Sequence, residues 1–146
     1  MAGLGEFSVR IAKRAKGVEV NTNNAIKRLA LAIDQAVVLE TPVDIGRARS
    51  NWTVALGSPH TGQRAPYAPG DHLGKGEGSN AAGAIQQAQQ EILGRKPQQT
   101  IFISNNVDYI GILNSSETRS AQSPPFFVQG AIRAALAEFR RTKVII

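Results

Sequence analysis

The sequence contains no cysteine, few aromatic residues and no long apolar run. Without cysteine, disulfides and thiolate metal sites are excluded, which fits a reducing compartment. The N-terminal stretch MAGLGEFSVRIAKRAKG has the pattern of neither a signal peptide nor a membrane span. The 146 residues suffice for one domain with its own buried core. We therefore expect a single domain over 1–146, made in a cytoplasm-like setting, without a membrane partner.

The chain is basic, because 17 Lys and Arg residues outnumber 11 Asp and Glu residues and give a net charge of +6. Such a balance is typical of a nucleic-acid partner, an acidic protein partner or a surface facing another subunit. The basic residues form an early and a late cluster: Arg10, Lys13, Arg14 and Lys16, and Arg140, Arg141 and Lys143. They are not interleaved with aromatic residues, so a stacking platform for single strands is not expected.

Apolar residues at helical spacing predict three helices. The first runs from about 22 to 40, behind the N-cap candidates of 21–24, and ends before Pro42. Its predicted buried residues are Ile26, Leu29, Ala30, Ile33 and Val37, widened by Leu31, Val38 and Leu39. Two more helices are expected over 80–93 and 126–141. The predicted buried face of the former consists of Ala81, Ala84, Ile85, Ala88, Ile92 and Leu93, and the apolar stripe of the latter consists of Val128, Ala131, Ile132, Ala135, Leu136 and Phe139. Residues 1–20 are expected to form a weakly structured, basic N-terminal arm.

Alternating apolar residues predict short strands. Residues 51–57 form one candidate, with Trp52, Val54 and Leu56 on its apolar face. Residues 100–104 and 107–113 form a hairpin candidate, with Asn105 and Asn106 in its turn. The order of elements predicts an α+β fold, in which a small antiparallel sheet packs against a long N-terminal helix, a middle helix and a C-terminal helix. Residues 57–80 are rich in Gly and Pro, which predicts an extended arm or a surface loop.

Catalytic and metal-binding patterns are missing. Both histidines, His60 and His72, lie in the Gly/Pro-rich loop, and the ligand spacing of a zinc site is lacking. The stretch GKGEGSN at 74–80 lacks the features of a phosphate loop. The sequence therefore predicts a protein that is not an enzyme, with no catalytic residue, cofactor or metal. An enzyme with His72 as its base is the minor alternative.

The stretch TPVDIGRARSNW at 41–52 joins the first helix to the first strand. Its residues resemble the signature of the HK97 gp10-like family of tailed-bacteriophage neck and tail-component proteins, in which a long helix ends in a Thr/Ser-Pro-Val-Asp-Thr-Gly-Arg turn. A second stretch resembles the segment that leads into the C-terminal helix of that family. The matching residues are Thr41, Pro42, Val43, Asp44, Gly46, Arg47, Arg49 and Trp52, and Tyr109, Leu113, Asn114, Ser120, Ala121, Gln122, Pro124, Pro125, Phe127 and Val128. Ile45 and the pair Ser115-Ser116 depart from the family pattern.

Elementary chemistry also accounts for the first motif. Pro42 and Gly46 define a turn after the helix, and the Asp44 carboxylate can accept hydrogen bonds from nearby backbone amides. Trp52 is expected to anchor the strand on the helices. Arg47 and Arg49 share one face if the backbone is extended, and their guanidinium groups suit carboxylates or carbonyls of a neighbour. Two alternatives to a contact surface stay open. The whole motif can serve only to stop the helix and anchor the core, and Arg47 and Arg49 can be solvated surface residues.

The resemblance implies a structural virion protein in the neck, where a ring of six or twelve copies joins the DNA-filled head to the tail. The implied partners are other copies, the connector or head-closure proteins, the tail terminator or tail tube proteins, and DNA contacted non-specifically in the channel. The predicted contact residues are Asp44, Arg47, Arg49, Arg10, Lys13 and Arg14, and the predicted structural residues are Pro42, Gly46, Trp52, Tyr109, Pro124, Pro125 and Phe127. A tail terminator or tail completion protein and a nucleic-acid-binding module are the alternatives.

Overall fold

The computed structural model describes residues 3–42, 46–68, 77–115 and 125–142. Asp44, His72 and Pro124 lie outside these ranges. The described elements, in chain order, are α1 Gly3–Glu40, α2 Arg47–Ser50, β1 Trp52–Leu56, α3 Glu77–Leu93, β2 Ile101–Asn105, α4 Ile110–Leu113 and α5 Phe127–Arg141. The predicted α+β class is confirmed: a two-stranded antiparallel sheet is combined with helices that include a long N-terminal, a middle and a C-terminal one.

Helix α1 begins at Gly3 rather than near residue 22, so the prediction that the N-terminal arm is weakly structured is wrong for residues 3–20. The asparagines expected to cap the helix lie inside it. The side chain of Asn23 contacts Arg95 instead, donating to its carbonyl over 3.3 Å and accepting from its guanidinium group. A residue type that favours helix ends is therefore used here for a tertiary contact with the segment after α3.

The sheet pairs β1 with β2 in antiparallel register, with Trp52 opposite Asn105 and Leu56 opposite Ile101. The outer edge of β1 is covered by Gln87 of α3. Its amide oxygen accepts from the Val54 N–H over 3.0 Å, and its amide nitrogen donates to the Val54 carbonyl over 2.9 Å. A helix side chain thus satisfies backbone groups that an edge strand would leave to solvent.

The predicted hairpin over 100–113 is wrong, because the chain turns after β2 and forms the short helix α4. Asn105 accounts for this change of direction. Its side-chain oxygen accepts from the Val107 N–H over 3.1 Å, and its nitrogen donates to the Ala48 carbonyl over 2.8 Å. An asparagine bonded to the backbone two residues later favours a turn over a continuing strand.

The core lies where α1, α3 and α5 meet the sheet. One buried cluster contains Val37, Val38, Trp52, Ala81, Ala84, Phe127 and Ala131, and a second contains Ala30, Val54, Ala88 and Ile92. The predicted stripe of α5 is confirmed, since Ala131 and Ala135 are buried and its other members are half-buried. Three residues predicted on buried faces are exposed instead: Ile26, Leu39 and Leu93.

Residues 57–68 form a surface loop that asparagine side chains hold against the body. Asn51 bonds both backbone groups of Arg64, over 2.8 and 2.9 Å, and Asn80 bonds both backbone groups of Ala68, over 2.7 and 2.9 Å. Asn106 donates to the His60 carbonyl over 2.8 Å. For this part of the Gly/Pro-rich segment, the structure agrees with a surface loop rather than an extended arm.

Candidate subunit-contact surfaces

The first motif forms the junction between α1 and β1. Helix α1 ends at Glu40, shortly before Pro42, as predicted. Gly46 has φ 83°, in the left-handed region that favours glycine, and it precedes α2. Trp52 is buried in one cluster with residues of α1, α3 and α5, the position expected of an anchor. Its indole Nε1 donates over 2.7 Å to the hydroxyl of Thr41, which is also buried.

The second motif leads into α5 and meets the first motif in the core. Phe127 is buried in the same cluster as Trp52 and Val37. Tyr109 is half-buried at the start of α4, and Pro125 is exposed in the turn before α5. The two stretches that carry the resemblance are therefore neighbours in the fold.

Asn114 of the second motif caps α5. Its side-chain oxygen accepts from the Val128 N–H over 2.9 Å, and its carbonyl accepts from the Phe126 N–H over 3.2 Å. Two backbone donors at the helix start thereby find partners within the chain. Phe126 itself has φ 58°, which is rare for a residue other than glycine, and its ring is exposed.

Arg47 and Arg49 do not share one face, because the backbone between them is helical rather than extended. Arg49 donates to the carbonyls of Leu39 and Thr41, over 3.0 and 3.1 Å, at the end of α1. A cation at a helix C-terminus stabilises the carbonyls that lack helical partners. Arg47 donates to the side chain of Gln63. Both guanidinium groups therefore contact their own chain, and their contact with a neighbouring subunit stays a prediction.

The basic residues of the early cluster lie on the first half of α1. All residues from 3 to 21 are exposed, including Arg10, Lys13 and Arg14. Large apolar side chains are exposed beside them, among them Leu4, Phe7 and Ile11. This segment therefore combines positive charge with exposed apolar side chains.

A second open surface lies where α1 passes β2. Ile26, Leu29 and Ile33 of α1 and Ile101 and Ile103 of β2 line a groove there. No strand within the described ranges pairs with the outer edge of β2. The groove therefore combines these apolar side chains with polar ones from the segment before β2, namely Arg95, Gln98, Gln99 and Thr100.

Two features of the site were missed by the sequence patterns. Asn51, Asn80 and Asn105 hold distant segments together, but their spacing in the sequence does not predict this role.

Asp34 is fully buried in α1, and among the described residues neither carboxylate oxygen has a hydrogen-bond partner. Burial raises the pKa of Asp34 to about 7. The sequence signal that could have predicted the burial of Asp34 is the presence of an acidic residue on the apolar face of a helix.

Neither a metal site nor a membrane span emerges from the ranges that the structure covers. They contain no group of three or more His, Cys, Asp or Glu residues placed to hold a metal ion. Their helices also lack the length of apolar sequence needed to cross a bilayer.

No family model, curated protein or solved structure matches the chain.

Proposed function

We propose that this protein is a structural virion component of a tailed bacteriophage, which forms a ring in the neck between the DNA-filled head and the tail. The observation that supports the proposal is the meeting of the two motifs that resemble the family. Trp52 of the first motif and Phe127 of the second pack in one buried cluster. If the resemblance reflects a shared fold, its two stretches should meet in the core although they are far apart in the sequence. A chance match of one short stretch does not require this.

The exposed surfaces fit assembly into a ring. A ring needs a heterologous interface, in which one surface of a subunit contacts a different surface of the next subunit. The exposed first half of α1 and the groove between α1 and β2 are two places on one subunit where apolar side chains are accessible. Large apolar side chains exposed together are typical of an interaction site. The resemblance implies six or twelve copies, with connector or head-closure proteins on one side and tail proteins on the other.

The positive charge fits a position around a DNA channel or beside acidic neighbours. The net charge is +6, and Arg10, Lys13 and Arg14 are exposed. Contact with phosphates through exposed basic side chains is independent of base sequence and weakens steeply with salt. DNA is therefore proposed as a passing, non-specific contact rather than as a specific ligand.

Electron microscopy of particles from a phage in which this gene is interrupted tests the proposal. Filled heads separate from complete tails are expected, and the wild-type gene supplied in trans is expected to restore joined virions. Normal virions without the gene overturn the proposal. Filled heads with no tails, or with tails of abnormal length, transfer the protein to tail assembly and favour the tail terminator or tail completion alternative.

A nucleic-acid-binding module is the second candidate, because the basic residues of α1 are exposed together on one segment. DNA binding by the isolated protein, measured at several salt concentrations, distinguishes the two. Tight binding with a steep salt dependence, abolished by Arg10→Glu and Arg14→Glu, favours the module. A variant that loses DNA binding but still joins heads to tails supports the neck function.

A further inference from the structure

The outer edge of β2 borders the groove between α1 and β2. In an antiparallel pair, opposite residues alternately bond across the pair and direct their backbone groups away from it. The Val54 N–H and C=O bond to Gln87, on the side of β1 away from β2. Its partner Ile103, and Ile101 two residues earlier, therefore direct their N–H and C=O groups to the outer edge. Within the described ranges, no hydrogen bond is made by these four groups.

The shape of the groove selects the kind of segment that fits it. A space of about 390 Å³ lies in the groove, and Ile26, Leu29 and Ile33 line its α1 side. A strand bonds to a sheet edge through its backbone while its alternate side chains reach the surface below. A helix cannot do this, because its backbone groups are bonded within the helix. The groove therefore fits an extended segment with apolar side chains.

Helix α5 ends beside this groove. Phe127, at the start of α5, lies in one buried cluster with Val37. Because α1 ends at Glu40, α5 can pack along α1 only by running back toward the N-terminus of α1. Both helices rise 1.5 Å per residue, so the 15 residues of α5 end near Ala25. Ala25 is buried, whereas all residues of 3–21 are exposed.

The chain that follows α5 is within reach of the groove. Thr142 has φ −80° and ψ 129°, so the backbone is extended where it leaves the helix. Residues 143–146, which lie outside the described ranges, read Lys-Val-Ile-Ile. Ala25 and Ile26 are 100° apart on α1, about 10 Å at the helix surface, and residues 142–146 span up to about 17 Å when extended. The three β-branched residues at 144–146 favour a strand.

A second apolar depression, between α1 and α3, does not offer the same contacts. Leu31, Ile92 and Leu93 line it. Both of its walls are helices, whose backbone groups are bonded internally, and the Leu93 carbonyl at the end of α3 accepts from Lys27 over 3.1 Å. Of the two apolar depressions on this half of α1, the groove beside β2 is therefore the one with backbone partners for a strand.

We propose that residues 144–146 lie in the groove of their own chain as a third strand of the sheet, with their backbone bonded to the outer edge of β2 and alternate side chains packed against α1. The segment then covers the groove in the isolated subunit. A neighbouring copy in the proposed ring contacts the groove only after this segment has left it. The contact itself does not depend on the neck function.

Amide hydrogen exchange tests the pairing with β2. In a chain that stops after Thr142, the protection of the Ile101 and Ile103 amides is expected to fall roughly tenfold or more relative to the full-length protein. The amides of Phe102 and Ser104 bond to β1 and are expected to keep their protection, which shows that the sheet is intact. Equal protection of Ile101 and Ile103 in the two chains overturns the proposal.

A full-length variant separates the apolar contact from the length of the chain. Replacing Val144, Ile145 and Ile146 together by serine keeps the backbone but removes the apolar side chains, and it is expected to lower the protection of the same two amides. Lys143→Ser is the matched control and is expected to leave that protection unchanged. Equal protection in the triple variant and the control overturns the packing against α1.

Cysteine cross-linking identifies which chain supplies the segment, because the protein has no cysteine of its own. Ile26→Cys combined with Val144→Cys is expected to form a disulfide within one monomer on oxidation. Arg28→Cys combined with Val144→Cys is the matched control, since Arg28 is exposed on the other side of Ala25, and it is expected to stay reduced. A disulfide-linked dimer assigns the segment to the groove of a second copy and overturns the contact within one chain, as does the absence of any disulfide.

The outcomes separate this inference from the proposed function. If exchange and cross-linking are negative but the gene is needed to join heads to tails, the neck function stands without this contact. If both are positive but virions assemble normally without the gene, the contact stands and the neck function falls.

Discussion

The indole Nε1 of Trp52 donates a hydrogen bond of 2.7 Å to the hydroxyl of Thr41, and both residues are buried. The same hydroxyl donates over 2.6 Å to the Val37 carbonyl, one turn back in α1. The end of the long helix and the start of β1 are thus joined through one side-chain oxygen. Loss of the Thr41 hydroxyl leaves the buried indole N–H without its acceptor, whereas loss of the indole leaves the hydroxyl with its bond to Val37.

Thr41→Val is expected to lower the free energy of unfolding by about 1–3 kcal/mol, the cost of the unsatisfied indole N–H, and Trp52→Phe by about 0.5–1.5 kcal/mol, the net contribution of the lost hydrogen bond. The double variant is expected to lose less than the sum, because both changes remove the same bond. Trp52→Ala also creates a cavity and is expected to cost about 3–5 kcal/mol. Urea unfolding measures all four. Strictly additive effects of Trp52→Phe and Thr41→Val would contradict a direct coupling.

Asn114→Ala is expected to destabilise the protein by about 0.5–2 kcal/mol, because the Val128 N–H at the start of α5 loses its side-chain acceptor. Asn114→Asp is the matched control, since it keeps an acceptor oxygen and places a negative charge at a helix N-terminus. It is expected to be close to wild type in thermal unfolding. Equal losses in the two variants would show that the amide nitrogen, which donates over 2.9 Å to Gln129, matters more than the cap.

Stability is expected to depend on pH through Asp34, because burial raises its pKa from 3.8 to about 7. The folded protein then binds this proton more tightly than the unfolded chain does. Its contribution is therefore fully present below about pH 4 and is lost as pH rises to about 7. The shift corresponds to a few kcal/mol at most, at roughly 1.4 kcal/mol per pKa unit.

Asp34→Asn removes this titration and provides the comparison. Urea unfolding across the same pH range is expected to find the variant more stable than wild type above about pH 7. The difference is expected to shrink toward acid pH, where the wild-type carboxyl is protonated. Two parallel stability curves would show that Asp34 is not the titrating group.

Gly83→Ala and Gly130→Ala are expected to have opposite effects although both glycines lie inside helices. A Cβ atom at Gly83 would lie 2.6 Å from the Tyr67 ring, whereas one at Gly130 meets nothing within 4 Å. Alanine in a helix interior otherwise stabilises by roughly 0.5–1 kcal/mol. We expect Gly130→Ala to raise the unfolding temperature, and Gly83→Ala to lower it and to increase proteolytic cleavage of the 57–68 loop. Equal stabilisation by both changes would show that Tyr67 moves aside at no cost.

Local patterns in the sequence determined where several elements begin and end. Pro42 marks the end of α1 because the residue before a proline disfavours the helical conformation. Gly46 predicts a turn because it adopts a positive φ without steric cost. The apolar spacing of 126–141 predicts α5 because one helical face must be buried. Each of these effects depends only on residues close in the sequence. The corresponding element can therefore be predicted without knowledge of distant contacts.

Only the tertiary structure decided how these elements are joined. Whether Asn105 continues a hairpin or turns the chain depends on the Ala48 carbonyl, 57 residues earlier. Whether Asn23 caps a helix or lies within one depends on Arg95, 72 residues later. The use of Arg49 at the end of α1 follows from the helical turn at 47–50. Short polar side chains bond equally well to local and to distant backbone groups, and the choice between these partners is set by the fold.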